Sequence, residues 1–139
     1  MDSLFRTINV ASSGMTAERF RLDVISQNLS NADTTKTENG GPYVRKGVTF
    51  QEVLNSTLKG TSQFSGVKVN EIFEDAAPFR LEYDPSHPEA NEEGYVEYPN
   101  VNVLNEMIDM ITAQRAYDLN ASVISTAKNM YNSALNIGK

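Results

Sequence analysis

Apolar side chains in the first thirty residues recur at Leu4, Ile8, Ala11, Met15, Leu22, Ile25 and Leu29, in steps of 4, 3, 4, 7, 3 and 4. This seven-residue repeat makes a narrow stripe, the pattern of a helix lying along another helix. It predicts a helix from about residue 3 to residue 31, interrupted once by Glu18, with Asp2 or Ser3 as its cap. The last forty residues repeat the pattern. Val103, Met110, Tyr117, Ile124 and Tyr131 fall seven apart. An interleaved series, Met107, Gln114, Ala121, Lys128 and Leu135, is apolar at three of five places. Leu104, Ile108 and Ile111 widen the stripe early, and Ala116, Val123, Met130 and Ile137 add a flank late, so this helix changes the side it buries. Asn100 or Asn102 can cap it after Pro99, and Gly138 can stop it. At 1.5 Å per residue it would run about 52 Å, longer than a small domain is wide. The two helices are expected to pair with each other, and the two-sided stripe points to further packing on neighbouring copies. The plainer alternative is an intramolecular pair alone.

Between the helices the period falls to two. Tyr43–Phe50, Val67–Val69, Phe79–Tyr83 and Tyr95–Tyr98 read as strands. Turn signals separate them at Asn39-Gly40-Gly41-Pro42, Gly60, Ser65-Gly66, Asp84-Pro85 and Glu93-Gly94. The expected fold class is α+β. Residues 1–35 and 99–139 form an antiparallel coiled coil, and residues 36–98 form a small antiparallel β middle domain.

Composition narrows the chemistry. The chain has 139 residues, no Cys, no Trp and one His, His87. That removes disulfides, thiol nucleophiles and cysteine metal sites. The net charge of −6 is unevenly placed: residues 71–97 hold nine acids and one base, whereas the rest holds nine acids and eleven bases. Arg45-Lys46 is the only adjacent basic pair, so no nucleic-acid partner is expected. No apolar run is long enough to span a membrane, and Met1–Arg6 lacks the basic and apolar regions of a cleaved signal. His87, between Pro85-Ser86 and Pro88, reads as a loop residue rather than a catalytic base, because adjacent Ser86 would point away from it. Glu89-x-Asn91-x-Glu93-Gly94 imitates half an EF-hand loop but has Asn100 where the bidentate Glu should fall; a solvated acidic turn is the default. No phosphate-cradling loop is present, and the middle is too small for a glycosidase cleft. Gly14 either admits the close approach of another backbone or is merely tolerated. Asn occurs fourteen times, several times inside the predicted helices, where uncharged amides suit faces packed against more protein.

Ser13-Gly14-Met15-Thr16-Ala17, followed by Gln27-Asn28-Leu29-Ser30-Asn31-Ala32-Asp33-Thr34, resembles the N-terminal signature of bacterial flagellar rod and hook proteins, S-G-M-x-A then N-N-L-A-N-x-x-T. Gln27 and Ser30 stand where Asn and Ala are commoner. Glu106-Met107-Ile108-Asp109-Met110-Ile111-Thr112-Ala113-Gln114-Arg115-Ala116-Tyr117 resembles that family's C-terminal signature. Gly41-Pro42-Tyr43, Arg45-Lys46, Asp84–Ala90, Gly94-Tyr95-Val96 and Pro99–Val103 are similar to its proximal rod subtype. The Gly-Tyr that hook members carry after the Asn-rich motif is absent.

The resemblance implies a structural subunit of the proximal rod, the periplasmic axle of the flagellar basal body, with neither cofactor nor catalysis. It implies export in an unfolded state through the flagellar type III apparatus, without signal cleavage, and helical self-association. Other rod proteins and the adaptor joining rod to export gate would be its partners. The assembly interface would be Leu4, Ile8, Ala11, Met15, Leu22, Ile25 and Leu29 with Val103, Met107, Met110, Tyr117, Ala121, Ile124, Tyr131 and Leu135. Phe50 and Leu54 fit a Phe-x-x-x-apolar export-gate pattern, and equally a strand-to-helix core segment. Two rival readings are a soluble coiled-coil adaptor or type III secreted effector binding a single partner, and a calcium- or glycan-dependent hydrolase on residues 71–97.

Overall fold

The computed structural model describes residues 2–56 and 62–137. The chain runs α1 (Asp2–Ser30), β1 (Lys46–Ser56), β2 (Ser62–Glu74), β3 (Arg80–Tyr83), β4 (Tyr95–Tyr98) and α2 (Val103–Ile137). The turn expected at Gly60 and the helix stop expected at Gly138 lie outside the described residues.

The helices pair antiparallel. Asn28, late in α1, touches Glu106, early in α2, while the Phe5 and Tyr131 rings at the opposite end lie 6.4 Å apart. Midway, a Cβ placed on Gly14 would stand 2.9 Å from Asn120 Nδ2, so the glycine lets the helices close on each other there. Small residues line the seam: Ala11, Ala113 and Ala127 are buried. Asn102 is the cap of α2, its Oδ1 accepting from the Asn105 amide at 3.1 Å.

The middle is not one sheet. β1 and β2 form a long antiparallel hairpin from Lys46 opposite Glu74 to Ser56 opposite Ser62, with irregularities after Thr49 and Val53 that add twist. β3 and β4 form a separate short pair, Arg80 opposite Tyr98 through Tyr83 opposite Tyr95. The hairpin lies on α1, which therefore packs on two sides, against α2 and against the strands. That second contact explains why Val24, off the predicted stripe, is buried: it shares a cleft with Lys46, Ile72 and Glu74. Ser13 anchors the contact by accepting from the Val67 amide at 3.1 Å. Gly66, at φ 131°, sits where any side chain would run into Ser13.

Strand limits shift from the sequence reading. β1 starts at Lys46 rather than Tyr43 and runs on to Ser56, so Phe50-Gln51-Glu52-Val53-Leu54 is strand throughout. Tyr43 and Arg45 are diverted into hydrogen bonds with the helices. β3 starts at Arg80 rather than Phe79. The loop between β3 and β4 is tied to itself: Asp84 Oδ1 accepts from the Ser86 amide and hydroxyl, and Asn91 Oδ1 from the Glu93 and Tyr95 amides.

Candidate functional site

Two features of the helix pair stand out, a buried polar junction at one end and an open apolar face along α2. The junction gathers residues far apart in sequence. Asn28 is 1% exposed and Glu106 is 0% exposed. Asn28 Nδ2 donates to Glu106 Oε2 at 2.9 Å and to the Lys46 carbonyl at 2.8 Å. Its Oδ1 accepts from the Lys46 amide at 2.9 Å and the Tyr43 hydroxyl at 3.0 Å. All four hydrogen-bonding positions of the amide are thus filled, which is what permits its burial.

Glu106 Oε1 accepts from Arg45 Nε at 2.7 Å. The same guanidinium reaches Asp75 Oδ2 at 3.3 Å and Asp109 Oδ2 at 3.8 Å. The Arg45 amide donates to Asn100 Oδ1 at 2.8 Å, and Asn100 Nδ2 donates to the carbonyls of Asp75 and Ala77. Arg45 and Asn100 therefore bind the start of β1, the end of β2 and the approach to α2 at one point. Partial burial would by itself lower the pKa of Arg45. The hydrogen bond and charge of Glu106, then the charge and hydrogen bond of Asp75, outweigh it and hold the pKa above its ordinary value. Burial first, then the charges of Glu106 and Glu74, raise the Tyr43 phenol. A buried carboxylate without a cation would be strongly unfavourable; the junction supplies Glu106 with the polar partners a buried charge requires.

The second feature faces outward. Leu104, Ile108, Ile111, Leu119 and Met130 are all more than half exposed, Leu104 and Leu119 at 68%. Their spacings of 4, 3, 8 and 11 keep them on one side of α2. Single exposed apolar residues are ordinary, whereas a row of them along one helix marks an interaction surface.

The expected interface residues divide between these surroundings. Ala11 and Ile25 are buried, and Leu4, Ile8, Met15, Leu22 and Leu29 are half-buried. Met110, Tyr117, Ala121, Ile124 and Tyr131 are half-buried too, whereas Val103, Met107 and Leu135 are exposed. The interleaved α2 series that turns to α1 is one residue earlier than expected: Glu106, Ala113 and Ala127 are buried and Asn120 half-buried. Apolarity points to Met107 and Leu135, but the close helix approach selects small or hydrogen-bonded side chains. Phe50 stands opposite Val69 and Leu54 opposite Phe64, all on the hairpin, with Phe50 and Leu54 exposed.

Sequence reasoning missed Asn28, Arg45, Asn100 and Glu106 as a unit. The available signal was the seven-residue series Glu106, Ala113, Asn120, Ala127. His87 Nδ1 accepts from the Glu89 amide at 3.2 Å, as a loop residue would. Among the described residues no three His, Asp or Glu side chains gather as metal ligands, and no helix is long and apolar enough to cross a membrane.

The chain matches the family model described as Flagella basal body rod protein over residues 8–36, and that described as Flagellar basal body rod FlgEFG protein C-terminal over residues 92–137. It is 45% identical to the flagellar basal-body rod protein FlgC of Borreliella burgdorferi over 96% of this chain and 97% of that one. It is 44% identical to the Bacillus subtilis protein of the same name, over 97% and 98% of the two chains. The Escherichia coli protein of that name is 38% identical over 99% of each chain.

Proposed function

From a chain that belongs to the family of flagellar basal-body rod proteins called FlgC, we propose a structural subunit of the flagellar rod, the axle that carries motor torque. The single observation that supports this most is the open apolar face of α2 on the side away from α1. A helix already paired along its length presents Leu104, Ile108, Ile111, Leu119 and Met130 for a neighbour. Each is more than half exposed, so burying what remains would contribute about 1–2 kcal/mol, enough over several copies to hold an assembly without covalent links. The polar junction then serves as a rigid corner, fixing the hairpin and the short β3–β4 pair against the helices so that load passes between them.

The family implies a role without catalysis. We assign the neighbours as further copies of this chain, other rod proteins and the adaptor joining rod to export gate. Delivery is through the flagellar type III export apparatus to the periplasmic rod. If Phe50 and Leu54 address the export gate, they do so from an unfolded chain, because folding places them in paired strands. The adaptor reading is not favoured, since the relatives named above are rod proteins.

The test is Leu119→Asp, at a position 68% exposed and away from the polar junction. The isolated variant should keep its helix content and urea midpoint, while basal bodies from cells carrying it should lack the subunit and the cells should not swim. Normal swimming would remove the α2 face from the interface. Ile25→Asp is a different experiment, because Ile25 is 5% exposed and serves the fold itself.

A further inference from the structure

Asn39-Gly40 is the one Asn-Gly step among fourteen asparagines. It lies in the turn between α1 and β1, where Asn39, Gly40 and Gly41 are all exposed. The Thr37 amide donates to the Gly41 carbonyl at 2.9 Å, and the Gly40 amide donates to the Thr37 carbonyl at 3.0 Å. Both glycines have positive φ, 82° and 77°, and nothing lies within 4 Å of where a Cβ on either would sit. No side chain at Gly40 hinders ring closure with Asn39, and the reaction needs only the single Gly40–Thr37 hydrogen bond to open in an exposed turn. Asn39 makes no hydrogen bond with its side chain among the described residues. Several others are held: Asn28, Asn31, Asn70, Asn91, Asn100 and Asn102 all have bonded side chains.

We propose that Asn39-Gly40 is a spontaneous modification site, converting to aspartyl and isoaspartyl forms in the folded chain. The Gly40 nitrogen gives up its proton to hydroxide and bonds to the Asn39 side-chain carbonyl carbon. That carbon releases its nitrogen as ammonia, leaving a five-membered imide. Water then adds to one of the two imide carbonyls. Opening at one C–N bond restores the main chain with an aspartate; opening at the other routes the main chain through the side-chain carbon. The net change is amide to carboxylic acid, with water as the co-reactant and no oxidant. The isoaspartyl form inserts a methylene between Thr37 and Gly41, so the two turn hydrogen bonds lose their register. The new charge stands beside Glu38, at a groove lined by Lys36, Gly41, Glu89 and Glu97.

The full chain, held folded in mildly alkaline buffer, is sampled over days, cleaved with trypsin and weighed. The peptide Thr37–Arg45 should gain the mass of the amide-to-acid exchange several-fold faster than peptides carrying Asn91 or Asn70. The product should accept a methyl group from isoaspartyl methyltransferase. Gly40→Ala should slow the gain several-fold. Gly41→Ala, which suffers the same backbone strain one residue away, should not. Equal rates at Asn39 and Asn91, or equal slowing by both alanine variants, would overturn the assignment.

Discussion

Replacing Glu106 by Gln keeps the volume of the side chain and removes its charge. Glu106 is fully buried and uses both oxygens, one toward Arg45 and one toward Asn28. A glutamine offers one oxygen and one NH2 group, so whichever way it turns, a donor meets a donor. Turned to satisfy Asn28, it leaves Arg45 Nε facing N–H; turned to satisfy Arg45, it leaves the fully bonded Asn28 one acceptor short. Breaking a buried ion pair costs about 3–5 kcal/mol. Arg45 retains Asp75 at 3.3 Å and is a quarter exposed, which places the expected loss near the lower end, about 3 kcal/mol. Urea unfolding of the purified chain, followed by far-ultraviolet circular dichroism, should show a lower midpoint with an unchanged slope. The cycle with Arg45→Met should show coupling of about 1–3 kcal/mol, because each single change strands a partner that the double variant no longer contains. A Glu106→Gln midpoint equal to that of the parent chain would refute the reasoning.

Asn120→Ala should make Gly14→Ala favourable: the Cβ would meet no amide, and alanine in a helix is better than glycine by about 1 kcal/mol, read as a raised melting temperature. Gly66→Ala meets both a positive φ and Ser13, and should cost at least about 2 kcal/mol while raising hydrogen exchange across β1 and β2. Tyr43 has a raised folded-state pKa, so its contribution is complete below pH 10.0 and declines as pH rises through the folded value. An alkaline titration of stability should therefore steepen above pH 10.0 in the parent and flatten in Tyr43→Phe.

The helices are legible because a seven-residue period sustained over thirty residues suits a paired helix and neither a strand nor a loop. The short strands β3 and β4 are legible from clean alternation. The long hairpin reads too short: its register shifts after Thr49 and again after Val53, which breaks the period of two. The junction is illegible for a different reason. Asn28, Arg45, Asn100 and Glu106 are polar, and a periodic search treats polar residues as the outside. The burial of Asn28 and Glu106 follows from hydrogen bonding across 78 residues of chain, a relation no local pattern carries. The same holds for Gly14, whose purpose depends on what stands opposite it, Asn120.

The span of that contact bears on when the molecule becomes complete. While a chain emerges from one end to the other, Asn28 and Arg45 are available long before Glu106. Until then the hairpin can zip and α1 can flicker into helical form, but the donors at the corner have only water to face. Closing so large a loop carries an entropic cost that the contacts at the corner must offset. The second helix therefore acts as the bolt: a chain cut short of residue 106 lacks the carboxylate to which Asn28 and Arg45 donate.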